Sequence, residues 1–125
     1  MIVGAAVVEL HVHGSQSLKA KRGVVRSIVQ RLRNRFNLSV AEIGGQDTWQ
    51  RAVLGISIAG SDTTTVRRVL EKTEGFIEGL HLAEVCGFEI QLVDLPYEEA
   101  TLEEADLDLP WGDDAPTDEE PDEPE

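Results

Sequence analysis

Positive charge is concentrated in one stretch of the sequence. Between Glu9 and Glu42 there is no acidic residue. The same stretch contains seven basic residues: Lys19, Lys21, Arg22, Arg26, Arg31, Arg33 and Arg35. Lysine and arginine side chains bind the phosphates of nucleic acids, so these seven residues form a candidate polyanion-binding surface.

The spacing of these residues is helical. Lys19, Arg22, Arg26 and Arg33 fall in one stripe along a helix, with Gln30 between the last two. An ordinary solvated helix face is the alternative interpretation of such a run of charge. A helix stabilised by surface ion pairs interleaves acids with bases, and this stretch has no acid at the i, i+4 positions. The absence of acids favours polyanion contact.

A second group of candidate residues lies near the middle of the chain. Asp47, Trp49 and Arg51 offer a carboxylate, a flat aromatic ring and a guanidinium within five residues. Trp49 can stack on a nucleic-acid base, or it can cover the hairpin on which it lies. Both interpretations stay open, and we expect Trp49 and Arg51 to supply secondary contacts to a nucleic acid.

Three histidines raise a metal hypothesis. His11 and His13 project to one face of the first predicted strand, and His81 is placed at the start of the last. These strands are expected to be neighbours, so the imidazoles can gather at one sheet end and bind zinc or nickel. A His-x-His pair is more often an exposed strand edge. We assign no metal or cofactor, and the role of the histidines stays open.

Six segments must position these candidate residues. Four of them are rich in strand-forming apolar residues: 2–12, 38–43, 49–59 and 88–92. Apolar residues at helical spacing predict a first helix over residues 18–36, with Ser15 or Ser17 as its N-cap. A second helix begins after a cap at Ser61 or Asp62 and ends near Gly79. The first helix is expected to pack through five apolar residues: Leu18, Val25, Ile28, Leu32 and Phe36.

The resulting order, β-α-β-β-α-β, predicts an α+β ferredoxin-like sandwich. A four-stranded antiparallel sheet, in the spatial order 4-1-3-2, should carry both helices on one face. The predicted open face holds an apolar mixture without aromatic residues, whereas an RNA recognition motif of the same topology reads bases with aromatics there. Homodimerisation or docking of a partner is the natural use of such a face.

The charge divides the chain into two parts. Residues 1–96 hold all 11 Lys and Arg with 10 Asp and Glu, and residues 97–125 hold 14 acids and no base. We therefore predict a ferredoxin-like domain over 1–96 and an acidic, disordered tail over 97–125. No apolar run reaches the roughly 20 residues of a membrane span, and the single Cys86 cannot form an intramolecular disulfide. We expect a cytoplasmic protein in which Cys86 is a small buried apolar residue.

One turn invites comparison with an enzyme. Residues 14–17 precede a helix N-terminus, where an anion can bind, although a simple N-cap is the favoured interpretation. The turn is weakly similar to the phosphate loop of acylphosphatase, a ferredoxin-like enzyme. The rest of that signature has no clean counterpart here, and no complete catalytic constellation is present. We expect a non-enzymatic protein.

Three ordered motifs carry a family resemblance. They are S-L-K-A-K-R (17–22), R-L-R-N-R-F-N-L-S-V-A-E (31–42) and Q-D-T-W-Q-R-A-V-L-G (46–55). Over residues 1–95 the chain resembles the YlxP-like family, a bacterial domain of unknown function. The resemblance implies a small ferredoxin-like protein, often encoded beside translation initiation factor two and ribosome-binding factor A. That context implies a role near translation or ribosome assembly.

Two functional hypotheses follow from these observations. The first is a non-enzymatic binding protein that contacts RNA or the ribosome through its first helix. The second is a homodimeric protein-interaction module that works through the open sheet face and the acidic tail, without nucleic acid.

Overall fold

The fold was analysed in a computed structural model, which describes residues 1–14, 16–46 and 48–98. Its elements, in chain order, are β1 (Ile2–His11), α1 (Leu18–Arg35), β2 (Ser39–Gly44), β3 (Arg51–Gly60), α2 (Thr63–Gly79) and β4 (Glu84–Asp94). The four strands form one antiparallel sheet in the order β2-β3-β1-β4. The predicted ferredoxin-like fold and strand order are confirmed. The predicted disordered tail lies outside the described residues, apart from its first two positions.

The hydrophobic core lies between one face of the sheet and the two helices. Every second residue of β1 points into it, because side chains alternate along a strand. The helices contribute six buried apolar residues: Val25, Ile28, Leu32, Val66, Leu70 and Ile77. Leu32 is fully buried, as the predicted helix register requires. Leu18 and Phe36, at the two ends of that stripe, are half-buried.

Close packing of α2 on β1 depends on Gly4. A Cβ atom on Gly4 would lie 2.6 Å from Val66 Cγ1 and 2.8 Å from Leu70 Cδ1. Such distances are too short for any side chain, so α2 lies directly against the β1 backbone. This contact fixes the height of the helix layer above the centre of the sheet.

Strand β4 is longer than the predicted segment 88–92, since it runs from Glu84 to Asp94. His81 is not part of β4; it follows α2 with a φ of 57°, and its N–H donates to Glu78 O at 3.2 Å. The register of β4 against β1 shifts between Glu9 and Leu10, which leaves Cys86 as the extra residue of a β-bulge. The Cys86 side chain is exposed, so the prediction of a buried cysteine is wrong.

The start of β1 and the end of β4 meet at one end of the sheet. The Met1 amino group donates to Leu95 O at 2.8 Å, and Leu95 N–H donates to Met1 O at 2.7 Å. The chain therefore leaves β4 beside the start of β1. No helix in the described part of the chain is long and apolar enough to cross a membrane.

Candidate nucleic-acid interface

Helix α1 presents six of its seven basic residues to solvent. Its first turn is fixed by Ser17, whose Oγ accepts a hydrogen bond from Ala20 N–H at 3.0 Å. Ser17 is thus the N-cap, as the favoured interpretation of the turn required, and Ser15 lies outside the described residues. Six of the seven predicted cations are exposed: Lys19, Arg22, Arg26, Arg31, Arg33 and Arg35. We call these six residues the α1 cations.

Two of the α1 cations, Arg26 and Arg31, line a shallow depression on the outer face of the helix. Its open volume is about 580 Å³. Its other lining residues are small or neutral and polar: Gly23, Ser27, Gln30 and Asn34.

The α1 cations are not neutralised by carboxylates in the described part of the chain. The ion pairs found there within 4.0 Å involve other groups: His13 with Glu84, Lys21 with Glu42, and Arg51 with Glu9. Because α1 itself contains no acid, its positive field is left to face solvent. A surface with this field attracts polyanions.

Three of the α1 cations are oriented by neutral partners. Arg33 Nη2 donates to Val40 O in β2 at 2.9 Å, and Arg31 Nε donates to Ser27 Oγ at 3.1 Å. The guanidinium carbon of Arg35 lies 5.2 Å from the centre of the Phe36 ring, within the range of a cation–π contact. These contacts orient the guanidinium groups without cancelling their charge.

Lys21 does not belong to this surface, so its assignment as a nucleic-acid contact is corrected. Its side chain is fully buried. Lys21 Nζ donates to Gly45 O at 2.6 Å, to Arg51 O at 3.2 Å and to Glu42 Oε2 at 3.4 Å. The three donors of the ammonium group are thereby used on the β2–β3 hairpin. Lys21 fastens α1 to that hairpin and has no free donor for RNA.

The two described hairpin residues, Trp49 and Arg51, have different surroundings. Trp49 is 52% exposed, which leaves its ring accessible for stacking. Arg51 Nε donates to Glu9 Oε2 at 2.7 Å, and both side chains lie on the open face of the sheet. The sheet therefore separates Arg51 from the α1 cations, and its charge is paired. Asp47 lies outside the described residues.

The histidines do not form a metal centre. The rings of His11 and His13 lie 4.2 Å apart, and His13 Nε2 is 2.8 Å from Glu84 Oε1. His81 lines the same depression as His13, at the end of α2. Across the described ranges, however, no three His, Cys, Asp or Glu side chains come together as metal ligands. The hypothesis of a three-histidine site is not supported by this geometry.

Sequence reasoning missed the buried role of Lys21. Because Lys21 lies in the basic, acid-free segment between Glu9 and Glu42, it was predicted to belong to the basic surface. A periodic charge pattern does not distinguish a lysine that points outward from one that points inward. One signal was available: Lys21 lies one turn before Val25 and two before Ile28, which places it on the apolar side of the helix. The paired state of Arg51 had no signal in the sequence, because it depends on the register of β1 against β3.

A solved structure shows a slight likeness to the chain. A variant of SnoaB, a cofactor-independent oxygenase from Streptomyces nogalater, aligns with a TM-score of 0.42 and 14% identity, covering 77% of this chain and 95% of that one. A likeness of this size carries no argument about activity.

Sequence comparisons identify the family. Residues 3–90 match the family described as "Protein of unknown function (DUF503)". The chain is also 39% identical, over 77 residues, to "Uncharacterized protein YlxP" of Bacillus subtilis (strain 168), in an alignment that covers 62% of this chain and 84% of that protein. Both matches agree with the motifs found in the sequence, and the chain belongs to the YlxP-like DUF503 family.

Proposed function

We propose that this protein is a non-enzymatic RNA-binding protein of the cytoplasm, associated with the ribosome or with translation, that contacts RNA phosphates through the α1 cations. One observation supports the proposal above all others. Six exposed cations share one helix, and none of them lies within 4.0 Å of a carboxylate in the described part of the chain. A phosphate backbone complements such an array.

The length of the basic surface suits an extended ligand. Lys19 and Arg33 are 14 residues apart, which corresponds to about 21 Å along a helix that rises 1.5 Å per residue. Several consecutive phosphates fit along that distance. A compact anion would need cations converging on one point, which the stripe does not provide.

The proposal concerns phosphate recognition more than base recognition. The described strands carry no Phe, Tyr or Trp side chain on the open face of the sheet, where an RNA recognition motif stacks bases. Trp49 offers a single exposed ring at the hairpin. We therefore expect binding that depends strongly on salt and weakly on sequence.

Crosslinking in cells tests this proposal. The full-length protein would be irradiated in a bacterial host, purified under denaturing conditions, and digested so that the RNA-linked peptides can be identified. We expect crosslinked RNA, with linked peptides from residues 19–35 and around Trp49. Recovery of no RNA above that of an irradiated acidic control protein would contradict the proposal.

A protein-interaction module is the second candidate function. Three large apolar side chains on the open sheet face are about half exposed: Val7 at 43%, Ile43 at 55% and Val93 at 52%. A second copy of the domain placed face to face would cover them. Sedimentation velocity across a hundredfold range of concentration tests this: a dimer lost in a Val7→Asp variant supports it, and a monomer throughout contradicts it.

A further inference from the structure

An apolar groove lies between the C-terminal end of α1 and the N-terminal end of α2. Its volume is about 430 Å³. The apolar side chains that line it are Phe36, Ile58, Val66 and Val69. Arg35 stands at its rim, with its guanidinium over the Phe36 ring. We call this feature the α1–α2 groove.

The groove suits an aromatic side chain accompanied by negative charge. Phe36 and Phe76 meet edge to face, with ring centres 5.5 Å apart, so an aromatic cluster already lies beside it. Pockets of this kind, apolar with a few polar groups at the rim, are typical ligand sites. The Asp62 carboxylate at the other rim is already engaged, because it accepts hydrogen bonds from Thr65 N–H and Thr65 Oγ1, both at 2.8 Å.

The chain leaves β4 close to this groove. Ile2 pairs with Gly60 on one side and with Asp94 on the other. Adjacent strands lie about 4.8 Å apart, so the Asp94 backbone is about 10 Å from that of Gly60. Gly60 lines the groove. The hydrogen bonds between Met1 and Leu95 hold the exit of the chain at this edge.

The sequence that follows has the matching chemistry. Residues 99–125 contain a single aromatic residue, Trp111, preceded by Leu107 and Leu109 and surrounded by acids. Residues 97–125 carry 14 acids and no base, whereas residues 1–96 have a net charge of plus 1. Arg35 and the neighbouring Arg31 are the cations that acids near Trp111 would meet.

We propose that residues 107–111 of the same chain occupy the α1–α2 groove, with the Trp111 ring against Phe36 and Val69 and the flanking acids facing Arg35. This inference does not depend on RNA binding. The nine residues from Glu98 to Leu107 reach about 30 Å when extended, several times the distance from the exit to Gly60. A tether of this length gives an effective concentration in the millimolar range, so a weak contact is sufficient.

The open face of the sheet is a poorer site for this segment. It carries Glu9 and Glu89, which repel an acidic chain, and the one cation nearby, Arg51, is already paired with Glu9. The depression on that face, lined by Ala5, Val7, Glu89 and Gln91, has a volume of about 270 Å³, smaller than the 430 Å³ of the α1–α2 groove. Charge and volume therefore both favour the groove.

Tryptophan fluorescence of the full-length protein tests the proposal. A Trp49→Phe substitution leaves Trp111 as the single emitter. We expect its emission to be blue-shifted, and its quenching by acrylamide reduced, relative to the same protein in guanidinium. Val69→Asp should abolish both effects, while Val93→Asp on the open sheet face, a matched control, should leave them intact.

Further variants keep the test decisive. If Val69→Asp unfolds the domain, as circular dichroism would show, the double variant L107D/L109D tests the same contact from outside the folded part. It should likewise return Trp111 to the emission of a free residue. Trp111 emission that is unshifted in the parent protein, or that responds to Val93→Asp and not to Val69→Asp, would overturn the proposal. A shift that disappears on dilution would also overturn it, because it would indicate a second copy as the partner.

Discussion

The two helices occupy equivalent places in the fold and present very different surfaces. α1 has 18 residues and α2 has 17, each begins at a capping side chain, and each packs an apolar stripe on the same face of the sheet. α1 carries only positive charge. α2 alternates both signs: Arg67, Arg68, Glu71, Lys72, Glu74 and Glu78.

The difference in surface charge shows which charges the fold requires and which it does not. Packing is satisfied in α2 by a surface with as many acids as bases, so a helix at this place in the sheet needs no excess of positive charge. Packing therefore does not account for the excess of positive charge on α1. Phosphate binding supplies an explanation.

The buried polar residues of the two helices differ as well, and their replacement should give the largest effects. Lys21 joins α1 to the β2–β3 hairpin through Gly45 O, Arg51 O and Glu42, whereas Thr73 Oγ1 in α2 donates only to Leu70 O at 2.6 Å in its own helix. Lys21→Met leaves the Glu42 carboxylate without its cation and removes a donor from two carbonyls, of which Gly45 O keeps the Thr48 N–H. We expect it to lower the free energy of unfolding by about 3 kcal/mol.

Thr73→Val is the matched control for that change. It removes one hydrogen bond at nearly constant volume and should cost about 1 kcal/mol. Urea denaturation measures both free energies. Equal losses in the two variants would show that Lys21 does not fasten the hairpin.

Removal of the acidic residues after Glu98 should increase the difference between the two helices in RNA contact. Truncation after Glu98 deletes 13 acids, which we expect to compete with RNA for the α1 cations. We expect RNA affinity to rise by about tenfold at low salt, since a tethered competitor acts at high effective concentration. At high salt the change should fade, because the attraction between solvated charges is screened. Fluorescence anisotropy with a labelled RNA measures the affinity at each salt concentration. Identical affinities of the truncated and full-length proteins at low salt would rule out the competition.

The helix caps should give the smallest effects, and they should differ in pH dependence. Thr65 N–H, followed by the Thr65 hydroxyl, holds the pKa of Asp62 below its ordinary value. A carboxyl with a lowered pKa in the folded state stabilises the protein above its unfolded pKa, near 4, and loses that contribution as pH falls through the folded pKa.

Asp62→Ala should therefore lower the free energy of unfolding slightly at pH 7 and progressively less below about pH 4. Ser17→Ala, the equivalent change in α1, should cost about 1 kcal/mol, with no pH dependence of its own in that range, because a serine hydroxyl does not titrate there. Thermal unfolding between pH 2.5 and 7 distinguishes the two. A pH-independent cost of Asp62→Ala would contradict the role given to its carboxylate.

Much of the fold could be predicted because local patterns and topology agree. The alternation in β1, the stripe of Val25, Ile28 and Leu32, and the cap at Asp62 each indicated the element that the structure contains. The assignment of His81 to the last strand was wrong because His81 lies in the left-handed conformation after α2, which a sequence pattern does not reveal. The exposure of Cys86 follows from a bulge whose register depends on β1.

The site was less predictable than the fold. Charge composition identified the basic helix, since a stretch without acids is visible in any sequence. Which single residues belong to the α1 surface could be assigned only from the structure. Lys21 points inward, and Arg51 lies on the other side of the sheet, paired with Glu9. The α1–α2 groove joins Phe36, Ile58 and Val69, which are distant in sequence and meet only after folding.

The contrast between the helices can be tested with two variants of matched composition. K19Q/R22Q/R26Q removes three exposed cations from α1, and R67Q/R68Q/K72Q removes three from α2, so the net charge changes equally. The measurement is the slope of log affinity for a single-stranded RNA against log salt concentration. We predict that the α1 variant loses about 2 units of slope, at roughly 0.7 per phosphate contact, while the α2 variant keeps the slope of the parent protein. Equal changes in both variants would contradict the account, because binding would then follow total charge and not the α1 surface.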